Sequence, residues 1–337
     1  MGASEGAIGL AAQTISRLPA LPQAREPRRA IRPESPAPSP QPRFLNTMTR
    51  ICLATAIAAT GLDDDQTPLL EAFARQGATA EVRAWDDPTV SWSRYAAVLL
   101  RSTWDYSERH PEFLTWCAAV SGLDVLLNPL EVVRWSSDKH YLADLARAGV
   151  AIIPAHFAEP GDDPERLPSF DEFVVKPAIG AGSRDTQRYL ASQREAAMAH
   201  ARRLLDGGRS VLLQPYLSGV DSYGETGMIF IDGRYSHAIR KGPLLKRNGA
   251  PTSDLFATEN IGPRIASEPE HALAQQVLAA LPFETPLYAR IDLLPAADGP
   301  KVLELELVEP SLFFATAPGA ADRLAEATLR RVARSRT

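Results

Sequence analysis

Arg290 and Asp292 sit on one short strand-like segment, and Glu304 and Glu306 on the next, with Asp298-Gly299 between them. In a two-stranded ribbon, residues two apart share a face. Ile291, Leu293, Leu303, Leu305 and Leu307 then form one apolar set, and Arg290, Asp292, Glu304 and Glu306 the other. A one-residue slip would mix the sets, so the pattern selects a register with Asp292 facing Glu304 and Arg290 facing Glu306. Three carboxylates crowd one face. Like charges at that range raise each other's pKa and destabilise the fold unless a cation sits among them. Hard oxygen ligands of this kind suit Mg²⁺, which usually carries substrate phosphates as well.

Other segments carry weaker signals. Gly180-Ala181-Gly182-Ser183 follows an apolar strand that ends at Lys176. Small residues let backbone N–H groups approach phosphate oxygens, and a serine hydroxyl adds a donor; the same residues also suit a plain flexible turn. No Gly-Lys-Ser/Thr ending is present, so this is not a Walker loop. Lys176 lies between Val174-Val175 and Pro177, so its stem is expected to be partly buried and its ammonium to need an anionic partner. Lys139 alone reads as an ordinary helix lysine. Gln214-Pro215-Tyr216-Leu217 ends a strand; Pro215 stiffens it, so neighbouring backbone groups can meet a flat ring edge.

The elements that must position these residues alternate. Residues 51–57, 80–85 and 96–100 read as strands, with helices over 67–76 and 111–120, which makes a parallel α/β layer. Ligands bind beyond the carboxyl ends of such strands. There lie Trp85-Asp86-Asp87-Pro88 and Arg101-Ser102-Thr103-Trp104-Asp105-Tyr106. Ser136 or Ser137 is expected to cap a helix through Lys139 to Ala148. Strands are expected near 173–176, 211–216, 228–232 and 235–240, and helices over 193–205, 268–281 and 320–334. Residues 241–261, rich in Gly, Pro and Lys, read as a lid.

With 337 residues and 45% hydrophobic content, the chain is long enough for two domains or more. It has no apolar run long enough to span a membrane. Cys52 and Cys117 read as buried free thiols of a reducing, cytoplasmic compartment. Residues 1–47 differ from the rest. Their many prolines and seven Arg against three Glu over 1–50 give a segment of net +4, leaving −9 on the remainder. Such a segment is expected to be disordered, with Met48 as the functional start, so that its deletion changes neither stability nor rate. The acidic remainder argues against nucleic-acid binding.

Taken in order, Lys139, Val175-Lys176-Pro177 with its Gly-rich loop, Gln214 to Leu217, Arg290-Ile291-Asp292 and Glu304-Leu305-Glu306 resemble the ATP-grasp superfamily over roughly residues 50–330. The chain looks closest to the glutathione-synthetase-like branch. Glu306-Leu307-Val308-Glu309-Pro310-Ser311, with the two polar-aromatic phrases above, is similar to a bacterial subgroup that includes the cycloserine-biosynthesis cyclo-ligase. The resemblance implies an α+β ATP-grasp fold: an N-terminal parallel α/β domain over 48–135, then lobes over 136–210 and 211–337 that clasp ATP.

It further implies that Lys139 and Lys176 hold the phosphates, that Gly180, Ala181, Gly182 and Ser183 close over them, and that Gln214, Pro215, Tyr216 and Leu217 meet the adenine. Asp221 or Glu225 takes ribose or substrate. Asp292, Glu304 and Glu306 hold one or two Mg²⁺ ions, for which Mn²⁺ can substitute. Arg290 answers charge on the transferred phosphoryl group. Read from the residues, Lys241, Lys246 and Arg247 close over the phosphates from the lid, or form a solvated basic loop. Relatives usually carry Glu-x-Asn where this chain has Glu304-Leu305-Glu306, so the extra charge either tightens the metal site or shifts a ligand to Glu309. An amino-acid-like substrate is expected, with Arg101 on its carboxylate, Trp104 and Tyr106 as walls, Asp105 on its ammonium and Ser102 and Ser311 nearby; the competing reading is that these residues pack a domain interface. His140 and His237 read as structural.

The implied chemistry is carboxylate–amine ligation through an acyl phosphate, with ring closure as a special case. Rivals are a phosphotransferase and a nucleotide-binding regulator without turnover. Dimers are common among such proteins, so a homodimer is compatible.

Overall fold

The computed structural model describes residues 49–245 and 260–335. The N-terminal arm and the lid residues Lys246 and Arg247 lie outside them. Three sheets organise the rest. The first is wholly parallel, in the order β2-β1-β3-β4, from β1 (Arg50–Thr55), β2 (Thr79–Ala84), β3 (Ala97–Ser102) and β4 (Leu126–Leu127). β1 and β3 are buried on both faces, as continuous apolar runs require when helices cover a parallel sheet. The covering helices are α1 (Gln66–Arg75) and α2 (His110–Ser121). Gly77, at φ +76°, ends α1 in the left-handed conformation that glycine adopts at no steric cost.

The expected helix through Lys139 is two helices, α3 (Leu130–Ser136) and α4 (Tyr141–Arg147). Ser136 ends the first instead of capping one. Lys139 lies in the turn between them, because its amide donates to Ala178 O at 3.0 Å instead of to a helical carbonyl. That bond ties Lys139 to the segment that follows Lys176.

The middle sheet is antiparallel, β5-β8-β6-β7, from β5 (His156–Ala158), β6 (Glu172–Pro177), β7 (Gln187–Leu190) and β8 (Val211–Pro215), with α5 (Arg194–Asp206) packed on it. β8 hydrogen-bonds between β5 and β6, so this sheet runs past residue 210, where a new lobe was expected to begin. The short α6 (Val220–Tyr223) leads into the third sheet, β11-β10-β9-β12-β13. Its strands are β9 (Glu225–Ile231), β10 (Arg234–Lys241), β11 (Ile261–Arg264), β12 (Tyr288–Ala296) and β13 (Gly299–Glu306), all antiparallel. α7 (Glu268–Ala279) shares a core with one face through Phe230, Ile291 and Leu305. α8 (Ala320–Arg334) shares another with Ile229, Tyr288 and the N-terminal layer. Among the described residues, no helix is long and apolar enough to cross a membrane.

The register of β12 and β13 is the expected one, with Arg290 opposite Glu306 and Asp292 opposite Glu304. A bulge follows at once: Leu293 pairs with Val302, not Leu303. An extra residue on one strand flips its neighbours' faces. Val302 therefore joins Leu293 and Leu305 in the core, whereas Leu303 turns to Ile153, Val220 and Leu294. The apolar set read from the sequence is right except at Leu303.

Candidate active site

A cleft of about 710 Å³ is walled by all three sheets. The middle sheet contributes Lys176 from the end of β6, Gly180, Ala181, Gly182 and Ser183 from the loop behind it, and Gln214, Pro215, Tyr216 and Leu217 from the end of β8. The third sheet contributes Glu225, Lys241, Arg290, Glu304 and Glu306. Lys139 reaches the wall from the turn before α4, and the segment 308–316 closes one side. The fold thus brings Lys139, Lys176, Glu225, Lys241, Arg290, Glu304, Glu306 and Glu309, all singled out in the sequence, to one cleft.

Their charges are interlocked. The Arg290 guanidinium spans Asp292, with Nε–Oδ1 at 2.9 Å and Nη2–Oδ2 at 3.0 Å, and it also pairs with Glu306. Its Nη1 donates to Ser311 O at 3.0 Å. Lys139 Nζ lies 2.8 Å from Glu304 Oε1 and donates to Gly180 O at 2.9 Å. Lys241 Nζ lies 2.9 Å from Glu225 and 3.4 Å from Asp292. Asp292 is only 1% exposed and lies behind the wall, clamped by both cations. Gly227 faces it across β9; a Cβ there would come within 3.0 Å of Asp292 Oδ1 and 2.9 Å of Ile239 Cδ1. The glycine is what lets this carboxylate sit inside a sheet.

Burial raises every carboxylate here, and the local partners decide the outcome. Arg290 and Lys241 overcome burial at Asp292 and hold it well below the usual range. Lys139 and Lys176 do the same for Glu304. At Glu306 burial wins, helped by Asp292 and Glu304, and the carboxyl is pushed up to about 8 despite Arg290. Glu225 and Glu309 are pushed up to about 7 by burial, against Lys241 and Arg290 respectively. Burial also lowers the Lys176 ammonium, and Glu304 opposes it.

The all-oxygen donor set of Asp292, Glu304 and Glu306 suits a hard divalent cation in type and charge. As placed, each carboxylate is taken by a protein cation, and no three His, Cys, Asp or Glu groups among the described residues converge on one ion position.

At the opposite corner, Tyr216 is fixed by a residue the sequence reading passed over. The Arg188 guanidinium lies 3.4 Å from the Tyr216 ring centroid, and both side chains bond Asp221, Tyr216 Oη at 2.6 Å. Arg188 also donates to Glu172 at 2.6 Å. Asp221, one of two candidates for ribose, is thus committed to the Tyr216 corner, whereas Glu225 is on the cleft wall.

The expected substrate residues divide. Trp104, Tyr106 and Ser311 line the cleft, but Arg101, Ser102 and Asp105 do not. Arg101, 1% exposed, donates to Pro310 O at 2.7 Å and lies 3.7 Å from Asp65. Ser102 Oγ donates to Thr55 Oγ1 at 2.8 Å and accepts from Gln66. Asp105 accepts from Trp85 Nε1 at 2.9 Å and Arg109 at 3.1 Å. The partners of these three are other protein groups, away from the cleft wall. The sequence reading missed Asp65, whose carboxylate accepts from the amides of Leu312, Phe313 and Phe314 at 2.6–2.9 Å and joins the first sheet to the 312–314 segment. The signal was available: Asp63-Asp64-Asp65 follows the first strand, where parallel sheets bind ligands. His140 bonds Asp138 and Glu159, and His237 bonds Ser236 and Leu312 O, and neither lines the cleft.

Residues 51–128 match the family described as the N-terminal domain of D-cycloserine synthetase DcsG. The cycloserine biosynthesis protein DcsG of Streptomyces lavendulae is 44% identical over 299 residues, which is 84% of this chain and 98% of that protein. A crystal structure of D-cycloserine synthetase DcsG superposes with a TM-score of 0.77 at 43% identity, covering 84% of this chain and 99% of the other. The ATP-grasp ligase PsnB, complexed with minimal precursor, Mg and ADP, shares the fold with a TM-score of 0.56 at 20% identity, over 84% and 98% of the two chains. The chain belongs to the DcsG family of ATP-grasp ligases.

Proposed function

We propose that this ligase closes a cycloserine-type ring by activating a substrate carboxylate as an acyl phosphate, which a nitrogen of the same molecule then displaces. The observation that carries this reading is the meeting of Lys139, Lys176, Lys241 and Arg290 with Glu304 and Glu306 on one cleft wall, in a chain 44% identical to a cycloserine biosynthesis protein. The cations would neutralise the ATP phosphates and the developing charge of phosphoryl transfer. Asp292, Glu304 and Glu306 would hold Mg²⁺, which when bound neutralises phosphate charge. The loop 180–183 would cover the phosphates, Gln214 to Leu217 would meet the adenine, and Glu225 would take the ribose. Trp104, Tyr106 and Ser311 would contact an amino-acid-like substrate.

The test is ADP release with Mg²⁺ and ATP across amino acids and their ureido and hydroxamate derivatives, with product masses recorded. A product one water lighter than a single substrate, formed with no second nucleophile, is expected. A stable phosphorylated product would instead establish a phosphotransferase.

A further inference from the structure

Six residues at the Tyr216 corner form an apolar cluster of their own: Ile153, Tyr216, Leu217, Val220, Leu294 and Leu303. All six line the cleft. An apolar cluster that opens on a cleft has one side left to cover, and a flat, uncharged ring suits it.

One cation approaches this corner from behind. Arg188, on β7, is 4% exposed and is not part of the cleft wall. Its guanidinium carbon lies 3.4 Å from the Tyr216 ring centroid. Its Nη1 and Nη2 each donate to an Asp221 oxygen at 3.1 Å, and its Nε donates to Glu172 at 2.6 Å. Tyr216 Oη donates to the same Asp221 at 2.6 Å, and the Tyr216 amide donates to Glu172 O at 2.8 Å. Arg188 Nη1 also donates to the carbonyl of Leu245, itself a cleft residue, at 3.2 Å.

Two carboxylates compensate this one guanidinium, and neither lines the cleft. The corner therefore presents its apolar cluster to a ligand, with these charges behind it. Asp221 precedes β9 and Leu245 follows β10, so Arg188 ties the Tyr216 corner to both ends of that antiparallel pair. Ordering one side chain on binding costs a ligand up to about 10-fold in affinity. Tyr216 is ordered in advance, because its ring face, hydroxyl and amide are each held by Arg188 or by a residue that Arg188 bonds.

We propose that Arg188 is a positioning residue for nucleobase binding: it fixes Tyr216 and Leu245 as parts of a preformed apolar slot without touching the base. The proposal rests on the reading above in which Gln214 to Leu217 meet the adenine.

The test is calorimetric binding of a non-hydrolysable ATP analogue and of inorganic tripolyphosphate to the full chain with Mg²⁺. Tripolyphosphate can occupy the cationic wall but has no base. The wild type is expected to prefer the analogue by about 10-fold or more, as for burial of an aromatic ring. Arg188→Met is expected to weaken the analogue by about 5- to 10-fold and to leave tripolyphosphate unchanged. Removal of a purely structural arginine would weaken both ligands alike or neither. If Arg188→Met does not fold, Arg188→Lys, which keeps a charge for Glu172 and Asp221 but loses the flat fork, is expected to show the same selective loss. The proposal is overturned if, in the variant that folds, both ligands weaken alike or the analogue binds as in the wild type. A wild type that binds the two ligands equally well overturns the adenine reading itself, and the proposal with it, before any variant is made.

Discussion

Arg101 and Arg290 are near twins in environment and opposites in position. Both are buried, at 1% and 5% exposure. Each lies near an aspartate, Asp65 and Asp292, and each donates to a carbonyl of the same segment, Pro310 O and Ser311 O. Each lies near an aromatic ring, Tyr288 at 5.5 Å and Phe313 at 5.6 Å. Yet Arg290 lines the cleft and Arg101 does not. The difference follows from their partners. Asp65 is saturated by amides, so its region is closed around structure. Asp292 and Glu306 meet Arg290 and Lys241 with charge on every side, and such a network can exchange partners with phosphate. A buried arginine beside an aspartate therefore says nothing about chemistry until its partner's other bonds are counted.

The comparison can be broken most forcefully at Arg101. Arg101→Met removes a buried charge beside Asp65 and the donor to Pro310, and is expected to cost about 3 kcal/mol or more in stability. Chemical denaturation measures this, and the affinity of the remaining folded protein for an ATP analogue is expected to be unchanged. Weak ATP binding with normal stability would place Arg101 in the machinery. At Arg290 the expectation inverts. Arg290→Lys keeps the charge but loses the planar fork that serves Asp292, Glu306 and Ser311 together. Substrate-dependent ADP release is expected to fall by about 10²–10³-fold, more than the accompanying loss of stability explains. A proportionate loss of both would make Arg290 a structural arginine like Arg101.

Much of this was legible in the sequence. The alternation of apolar and charged residues fixes the Arg290–Glu306 and Asp292–Glu304 pairs because a slip would bury charge, and the small residues after Lys176 mark the loop beside the cleft. What escaped has physical reasons. The bulge at Leu303 leaves no pattern, since Val302 and Leu303 are equally apolar. Lys139 reads as a helix lysine because nothing local reveals its amide bond to Ala178, 39 positions away. The Arg101 phrase sits at a strand end where ligands bind, and nothing local reveals that Ser102 and Asp105 are held by Thr55, Trp85 and Arg109 while Trp104 and Tyr106 of the same phrase line the cleft. The depth of Asp292 also left no mark in the sequence: it is buried between Arg290 and Lys241, and Asp292→Asn takes from each cation one of its two carboxylate partners.

A smaller perturbation probes the Arg290 network without touching a charge. Gly227→Ala places a methyl group 3.0 Å from Asp292 Oδ1 and 2.9 Å from Ile239 Cδ1. Overpacking of this kind costs about 1–3 kcal/mol. Because one of the two neighbours is the Asp292 carboxylate, activity is expected to fall by more than the stability loss explains. Stability loss with unchanged turnover in the folded fraction would show that Ile239 alone gives way and that Asp292 tolerates displacement.

The gentlest test uses pH. Glu306 is a carboxyl whose folded-state pKa is raised, to about 8, by burial and by Asp292 and Glu304. Between its ordinary value and about 8 the folded protein holds a proton that the unfolded chain releases. Stability therefore falls as pH rises through that window. Asp292 has the opposite sign: its depressed pKa contributes stability at neutral pH that is lost only on strong acidification. Glu306→Gln removes the first effect and leaves the second. The variant is expected to gain on the order of 1 kcal/mol relative to the wild type between about pH 6 and 8, and to lose nothing in acid. Denaturation at several pH values measures this. A parallel displacement of the two stability curves, with no change of slope, would show that Arg290 keeps Glu306 ionised throughout, and that the cleft network is as closed around its own charges as the Arg101 region is.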